Sequence, residues 1–104
     1  MSLAAQLLEK ARNTGAMVTC AESCTGGMLA AALTDLPGSS ALLDRGFVTY
    51  TNAAKVAMLG VSEETLTQWG AVSEQVAEEM GAGALARSEA QLSLIHLSEP
   101  TSPY

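Results

Sequence analysis

The sequence predicts an α/β fold, a parallel sheet with helices covering its faces. Three observations lead there. Short apolar stretches alternate along the chain with helical patterns. Those helical patterns carry their own start and stop signals. No repeat and no linker divides the 104 residues, so they form one domain.

Leu3, Leu7, Leu8 and Ala11 share one helical face, and Gly15 follows as a C-terminal stop. Met17 to Ala21 reads as a short buried strand. Glu22-Ser23-Cys24-Thr25-Gly26-Gly27 is a turn opening a second helix from Met28 to about Thr34, which Leu36-Pro37-Gly38 ends. Ser39 or Ser40 caps a brief helical turn reaching Leu43, and Gly46 to Tyr50 is the next strand. Asn52 is expected to cap a helix through Leu59, stopped by Gly60. Ser62-Glu63-Glu64-Thr65 starts another, with acids in the first turn where the helix dipole favours them. Ser73-Glu74 opens a helix to about Arg87. Its Gly81 and Gly83 each cost about 1 kcal/mol of helix propensity, tolerable where a neighbouring backbone packs closely. Ala90 to Ile95 is the third strand.

Composition narrows the function. Hydrophobic residues make up 48% of the chain but aromatics only 4%, so the core is built from Ala, Leu, Val and Met. Such a core buries little area per residue, which predicts marginal stability unless a partner chain covers part of the surface. Trp69 and Met80 are expected in it. Eleven acidic residues against five basic ones leave no basic face for nucleic acid or for an acidic membrane surface. The first residues lack a signal peptide's basic start, and the longest apolar run, Met28 to Leu33, is far short of a membrane span. Cys20 and Cys24 form no C-x-x-C pair and no disulfide framework. The expectation is a cytoplasmic protein that holds any anionic ligand by backbone N–H groups or a chosen cation.

The strongest chemical signal is Ala21-Glu22-Ser23-Cys24-Thr25-Gly26-Gly27, between a strand and a helix. Ligands of α/β sheets bind beyond the carboxyl ends of the strands, where a helix N-terminus offers unpaired N–H groups to an oxyanion or phosphate. A serine in that turn is placed to attack a bound carbonyl. The plain alternative is a capped helix start with no ligand at all.

A serine nucleophile needs a base. His96 lies in the final segment and the only aspartates are Asp35 and Asp44, so a Ser-His-Asp triad is poorly supported. Tyr50-Thr51-Asn52-Ala53-Ala54-Lys55 follows the next strand, at the same end of the sheet as Ser23. A desolvated lysine can be neutral and act as base, with a tyrosine hydroxyl relaying or orienting the proton. A surface lysine and a packing tyrosine are the bland reading. Cys24 is a rival nucleophile near a helix start, and Cys20 is expected in the core. Glu22 would orient a ligand amide or hydroxyl, or simply partner the helix dipole. No cluster has metal-ligand spacing, so neither metal nor cofactor is expected.

Taken together, these motifs, with Asp35-Leu36-Pro37-Gly38-Ser39-Ser40, Leu59-Gly60-Val61 and Gly70-Ala71-Val72-Ser73-Glu74, resemble the CinA C-terminal family, the nicotinamide-nucleotide amidases or nicotinamide mononucleotide deamidases. The resemblance runs from about Ala16 to about Leu94. It implies a three-layer α/β/α sandwich with a mostly parallel sheet, a homodimer, and hydrolysis of the carboxamide of nicotinamide mononucleotide to nicotinate mononucleotide and ammonia. Ser23 looks like the nucleophile, with Lys55 and Tyr50 as its activating pair. Glu22, Thr25, Gly26, Gly27 and Asn52 are then the candidate substrate-binding residues.

The resemblance stops near the end of the chain. The family continues with a Gly-rich loop and further strands, whereas residues 95–104, from Ile95 to Tyr104, carry two prolines and polar residues. The expectation is residues 1–94 as the front part of the domain, a sheet left incomplete, and 95–104 as a disordered tail foreign to it. The competing readings are a non-catalytic nucleotide- or phosphate-binding module and an inactive fragment that contributes a face to a dimer.

Overall fold

A computed structural model of the chain describes residues 3–97. The elements are α1 (Leu3–Thr14), β1 (Val18–Ser23), α2 (Met28–Thr34), a 3₁₀ turn (Ser39–Ala41), β2 (Leu43–Thr49), α3 (Asn52–Leu59), α4 (Glu63–Trp69), α5 (Glu74–Ala86) and β3 (Leu92–Leu97). The strands form one parallel sheet in the order β2-β1-β3.

β1 is central, and all six of its residues are buried. An uninterrupted Val-Thr-Cys-Ala run suits a strand covered on both faces. Alternation along it sorts two cores. Val18 and Cys20 point toward α1 and α2, meeting Leu8, Ala11 and Leu33. Ala21 points the other way, toward Leu59, Val61, Val76, Met80 and Ala84 on the α3–α5 side. The molecule is therefore a three-layer α/β/α sandwich, as the sequence predicts. Its core is aliphatic: Leu, Val, Ala, Met and Cys supply every fully buried apolar side chain among the described residues.

Helix limits follow the capping chemistry closely. Ser62 accepts from the N–H groups of Glu64 and Thr65, Ser73 accepts from Val76, and Gly60 ends α3 in the left-handed region. Glu79 on α5 adds a tertiary cap to α4, accepting from the Ser62 N–H at 2.7 Å and from the Thr65 hydroxyl. The cap of α3 is Thr51, not Asn52: Thr51 Oγ1 accepts from Ala54 N at 3.0 Å, and Asn52 is the first helical residue.

The strands differ from the sequence reading by a few residues. β1 runs two residues further, because Glu22 and Ser23 continue the ladder opposite Val48 and Thr49 on one side and His96 and Leu97 on the other. β2 begins three residues earlier, at Leu43. Its polar start is tolerated because an edge strand leaves charged side chains in solvent. Asp44 there accepts from Arg45 Nε at 2.9 Å and from the Glu89 N–H at 2.8 Å. β3 begins at Leu92 and continues past Ile95 through His96 and Leu97, two residues that the sequence reading assigned to the tail; 98–104 lie outside the described residues. Trp69, expected in the core, is 52% exposed at the end of α4, whereas Met80 is fully buried. α4 is a two-turn helix that meets the core through Leu66, and its last residue falls beyond that contact.

Candidate active site

The carboxyl ends of β1 and β2 lie side by side, with Ser23 opposite Thr49. Thr49 Oγ1 donates to the Glu22 carbonyl at 3.0 Å, tying the two ends together. Directly after β1 the chain turns sharply at Cys24, the one non-glycine at positive φ (66°) among the described residues. Its N–H donates to the Thr49 carbonyl at 3.1 Å.

The start of α2 is already occupied. Glu22, fully buried, accepts at Oε1 from Thr25 Oγ1 (2.6 Å), Gly27 N (3.1 Å) and Leu29 N (3.0 Å), and at Oε2 from Ala30 N (2.9 Å). Burial alone would raise its pKa, but these four donors outweigh it and hold the carboxyl below its ordinary value. Gly27 adopts φ 95°, which lets the chain wrap around the carboxylate before α2 begins. These donors bind the protein's own carboxylate, so Glu22 takes the helix-partner role that the sequence also offered, with the Thr25 hydroxyl and the Gly27 N–H engaged in the turn. Gly26, at φ 60°, completes it.

Replacing Glu22 by glutamine is expected to cost about 2 kcal/mol, since an amide turns one acceptor toward a donor and removes the charge from the remaining bonds. That corresponds to a fall of about 8–16 °C in melting temperature for a domain this small. Because its folded pKa is lowered, Glu22 contributes stability above the unfolded carboxylate value. That contribution is lost as pH falls through the depressed folded value. The acid limb of a stability–pH profile should therefore flatten in Glu22→Gln.

Lys55, one turn into α3, is only 2% exposed. Its Nζ donates to the Ala71 carbonyl at 3.3 Å and to Asn52 Oδ1 at 3.5 Å, both neutral acceptors. Burial pushes its pKa down from the ordinary 10.5, partly offset by the electrostatic effect of Cys24 beside it. A neutral amine that gives two N–H groups to fixed acceptors keeps its lone pair for a proton.

A cavity of about 290 Å³ opens here, lined by Cys24, Tyr50, Thr51, Asn52, Lys55, Ala71 and Val72. The structure thus brings Lys55, Asn52, Tyr50 and Cys24 onto one cavity. Ser23 is fully buried and is not one of the cavity's lining residues; its Oγ lies 3.4 Å from Sγ of Cys24, which is. Tyr50 is half-exposed, and its carbonyl accepts from the Cys24 thiol at 3.5 Å. Cys20, by contrast, is a core thiol, pushed up to about 11 by burial and by the charge of Glu22. Sequence reasoning missed the Ala71 carbonyl as a partner of Lys55. The only available signal was Gly70-Ala71-Val72, where Gly70 turns the chain back toward α3. Among the described residues no group of three His, Cys, Asp or Glu side chains is arranged to hold a metal, and no helix is long and apolar enough to cross a membrane.

Known proteins resemble this chain in sequence and fold. The chain is 69% identical over 71 residues to nicotinamide-nucleotide amidohydrolase PncC of Enterobacter agglomerans, covering 68% of this chain and 43% of the relative. With the Escherichia coli K12 protein of the same name it is 52% identical over 102 residues, covering 96% and 62%. Among solved structures, the competence/damage inducible protein CihA from Agrobacterium tumefaciens superimposes with a TM-score of 0.80 at 52% identity, over 91% of this chain and 62% of that one. A CinA superfamily protein from Escherichia coli gives 0.82 at 41% identity, over 89% and 54%. The chain therefore spans 43–62% of the length of these curated relatives. Residues 1–96 match the CinA C-terminal domain, and the chain belongs to that family.

Proposed function

We propose that this chain carries the catalytic centre of a nicotinamide-nucleotide amidohydrolase, converting the carboxamide of nicotinamide mononucleotide to a carboxylate and ammonia. The observation that carries the reading is Lys55, a buried amine with neutral partners and a depressed pKa, on the cavity at the rim where β1 ends in Ser23. The names of the amidohydrolase relatives support the substrate class.

In this reading the Lys55 amine takes the Ser23 hydroxyl proton as Oγ attacks the carboxamide carbon. The tetrahedral intermediate collapses with loss of ammonia, the departing nitrogen taking that proton back from the Lys55 ammonium. Water then attacks the acyl-serine, giving its proton to Lys55, and Ser23 Oγ leaves reprotonated. Asn52 and the Ala71 carbonyl hold the amine in place, and Tyr50 flanks the ring and amide of the substrate. Cys24 as nucleophile is a second reading, favoured by its position on the cavity wall. A phosphate-binding module without chemistry is disfavoured, because the α2 donors it would use are engaged by Glu22. A homodimer belongs to the same proposal, supported by exposed Met28, Val48 and Met58 on the described surface.

The test is ammonia release from nicotinamide mononucleotide by the purified chain, with calorimetric binding measured alongside. Turnover is the expected result. Binding without turnover would leave a binding module, and neither would leave a fragment whose role is contact with another chain.

A further inference from the structure

We infer that the turn joining α4 to α5 positions the Lys55 amine, with Gly70 and Ser73 as positioning residues that act through the Ala71 carbonyl; its bearing on catalysis rests on Lys55 being the base of the proposed function. Of the two acceptors on Nζ, Asn52 sits three residues earlier on α3 and moves with that helix. The Ala71 carbonyl, at 3.3 Å, comes from outside it. Ala71 is therefore the acceptor that fixes the amine relative to the rest of the site.

A backbone carbonyl has no rotamers, so the dihedrals around it decide its direction. Gly70 holds φ 86° and ψ 161°, a region essentially closed to residues with a side chain. A Cβ there would meet nothing within 4 Å, so conformation and not crowding requires glycine. That conformation decides where Ala71 goes, and its carbonyl with it. Ser73 closes the turn. Its hydroxyl donates to the Gly70 carbonyl at 3.1 Å and accepts from Val76 N at 3.2 Å. One hydroxyl thus uses both its roles to lock the turn onto the start of α5.

The two helices that the turn joins are braced in their own right. The Gly70 N–H donates to the Leu66 carbonyl at 3.0 Å, at the end of α4. Glu79 on α5 ties back to Ser62 and Thr65 at the start of α4. Further along α5, Gly83 faces the Leu59 carbonyl at the end of α3. The turn therefore cannot slide along α3 without breaking one of these contacts. A lysine stem is flexible and its amine strongly hydrated, so an unheld Nζ would turn out to water. Instead Lys55 stays 2% exposed on the cavity wall.

The test reads the amine directly. Acetic anhydride acetylates a neutral lysine: nitrogen bonds to the acetyl carbon, acetate leaves, and the amine proton passes to water. The chain's only other lysine, Lys10, is exposed on α1 and serves as the reference for the reagent. Mass spectrometry follows Lys55 labelling across pH, alongside melting curves and kcat and KM for nicotinamide mononucleotide. In Gly70→Ala and Ser73→Ala the amine is expected to reach water. Its labelling midpoint should rise by about one pH unit or more toward the ordinary lysine value. In the same variants kcat should fall about tenfold or more, with KM within about threefold. Cys24 and Tyr50, the other ionisable groups on the cavity, are kept in every variant. Ser73→Thr keeps the hydroxyl and should keep the unaltered midpoint. Ser62→Ala removes the corresponding cap from α4, and should melt lower with the midpoint unmoved. A midpoint that stays or falls in Gly70→Ala overturns the inference, as does one that moves equally in Ser73→Thr or Ser62→Ala. If the unaltered chain shows no turnover, the proposed function fails, and a midpoint that still rises in Gly70→Ala supports the hold of the turn on the amine by itself.

Discussion

Lys55→Met is expected to lower kcat/KM for amide hydrolysis by about 10²–10⁴-fold, the usual contribution of a positioned general base. Ser23→Ala should lose at least as much, and the double variant little more than the worse single one, because nucleophile and base act as a unit. The pH profile separates this from a structural defect. The Lys55 amine works only when neutral, and burial holds its pKa below the ordinary 10.5. The rate should therefore rise with pH and level off at a pH below that value. In Lys55→Met this limb should vanish from whatever activity remains. Stability follows the same sign: below the folded pKa the unfolded chain binds the extra proton more readily, so Lys55 opposes folding there, and the penalty fades as pH rises toward 10.5. Lys55→Met should thus melt no lower than the unaltered chain at neutral pH. Activity that survives both Lys55→Met and Ser23→Ala would sink the mechanism.

Gly83→Ala is expected to be the most damaging single methyl in the structure. A Cβ built at Gly83 would lie 1.9 Å from the Leu59 carbonyl oxygen and 2.8 Å from its carbon, so α5 must withdraw from the end of α3. The obstacle is backbone, which cannot swing aside. Overpacking of this kind typically costs 1–3 kcal/mol, sometimes more, and about 3 is expected here. Melting should fall by about 12–24 °C. Gly81→Ala is the control: its Cβ would meet Ser93 Oγ at 3.3 Å, the end of a side chain that can rotate. The gain of about 1 kcal/mol in helix propensity then offsets most of the crowding. Equal melting points for the two variants would refute the close-approach account.

These two glycines show what kind of information a sequence holds. Their cost to a helix is local, so it was legible that α5 pays for a close contact somewhere along its length. Which of the two faces the neighbouring backbone depends on how α5 lies across α3. The helix limits were legible in the same way: Ser62, Ser73 and Gly60 act on groups within four residues of themselves. The strand ends were not. Glu22 and Ser23 belong to β1 only because Val48, Thr49, His96 and Leu97 lie opposite. Trp69 misled for a related reason, since hydrophobicity says that a side chain benefits from burial and not that a short helix has room to bury it.

The candidate site divides along the same line. The strand–turn–helix around Ser23 and the strand–helix carrying Tyr50 and Lys55 are local patterns. That both end at one rim follows from parallel strands, so their neighbourhood was foreseeable. The sequence left the α2 start open between a ligand cradle and a self-capped helix. Whether its N–H groups face a ligand or the protein's own carboxylate depends on the side to which Glu22 points, and β1 alternation turns it inward.

Residue order alone thus established the α/β class, the helices with their caps, and the pair of polar turns at one end of the sheet, because each depends on spacing or on contacts a few residues apart. Three-dimensional packing settled the rest: the burial of Lys55 against Asn52 and Ala71, the self-occupied start of α2, and the thiol between Ser23 and Tyr50. Those depend on the directions of side chains from separate elements, and direction is a property of the packed layers that no local pattern encodes.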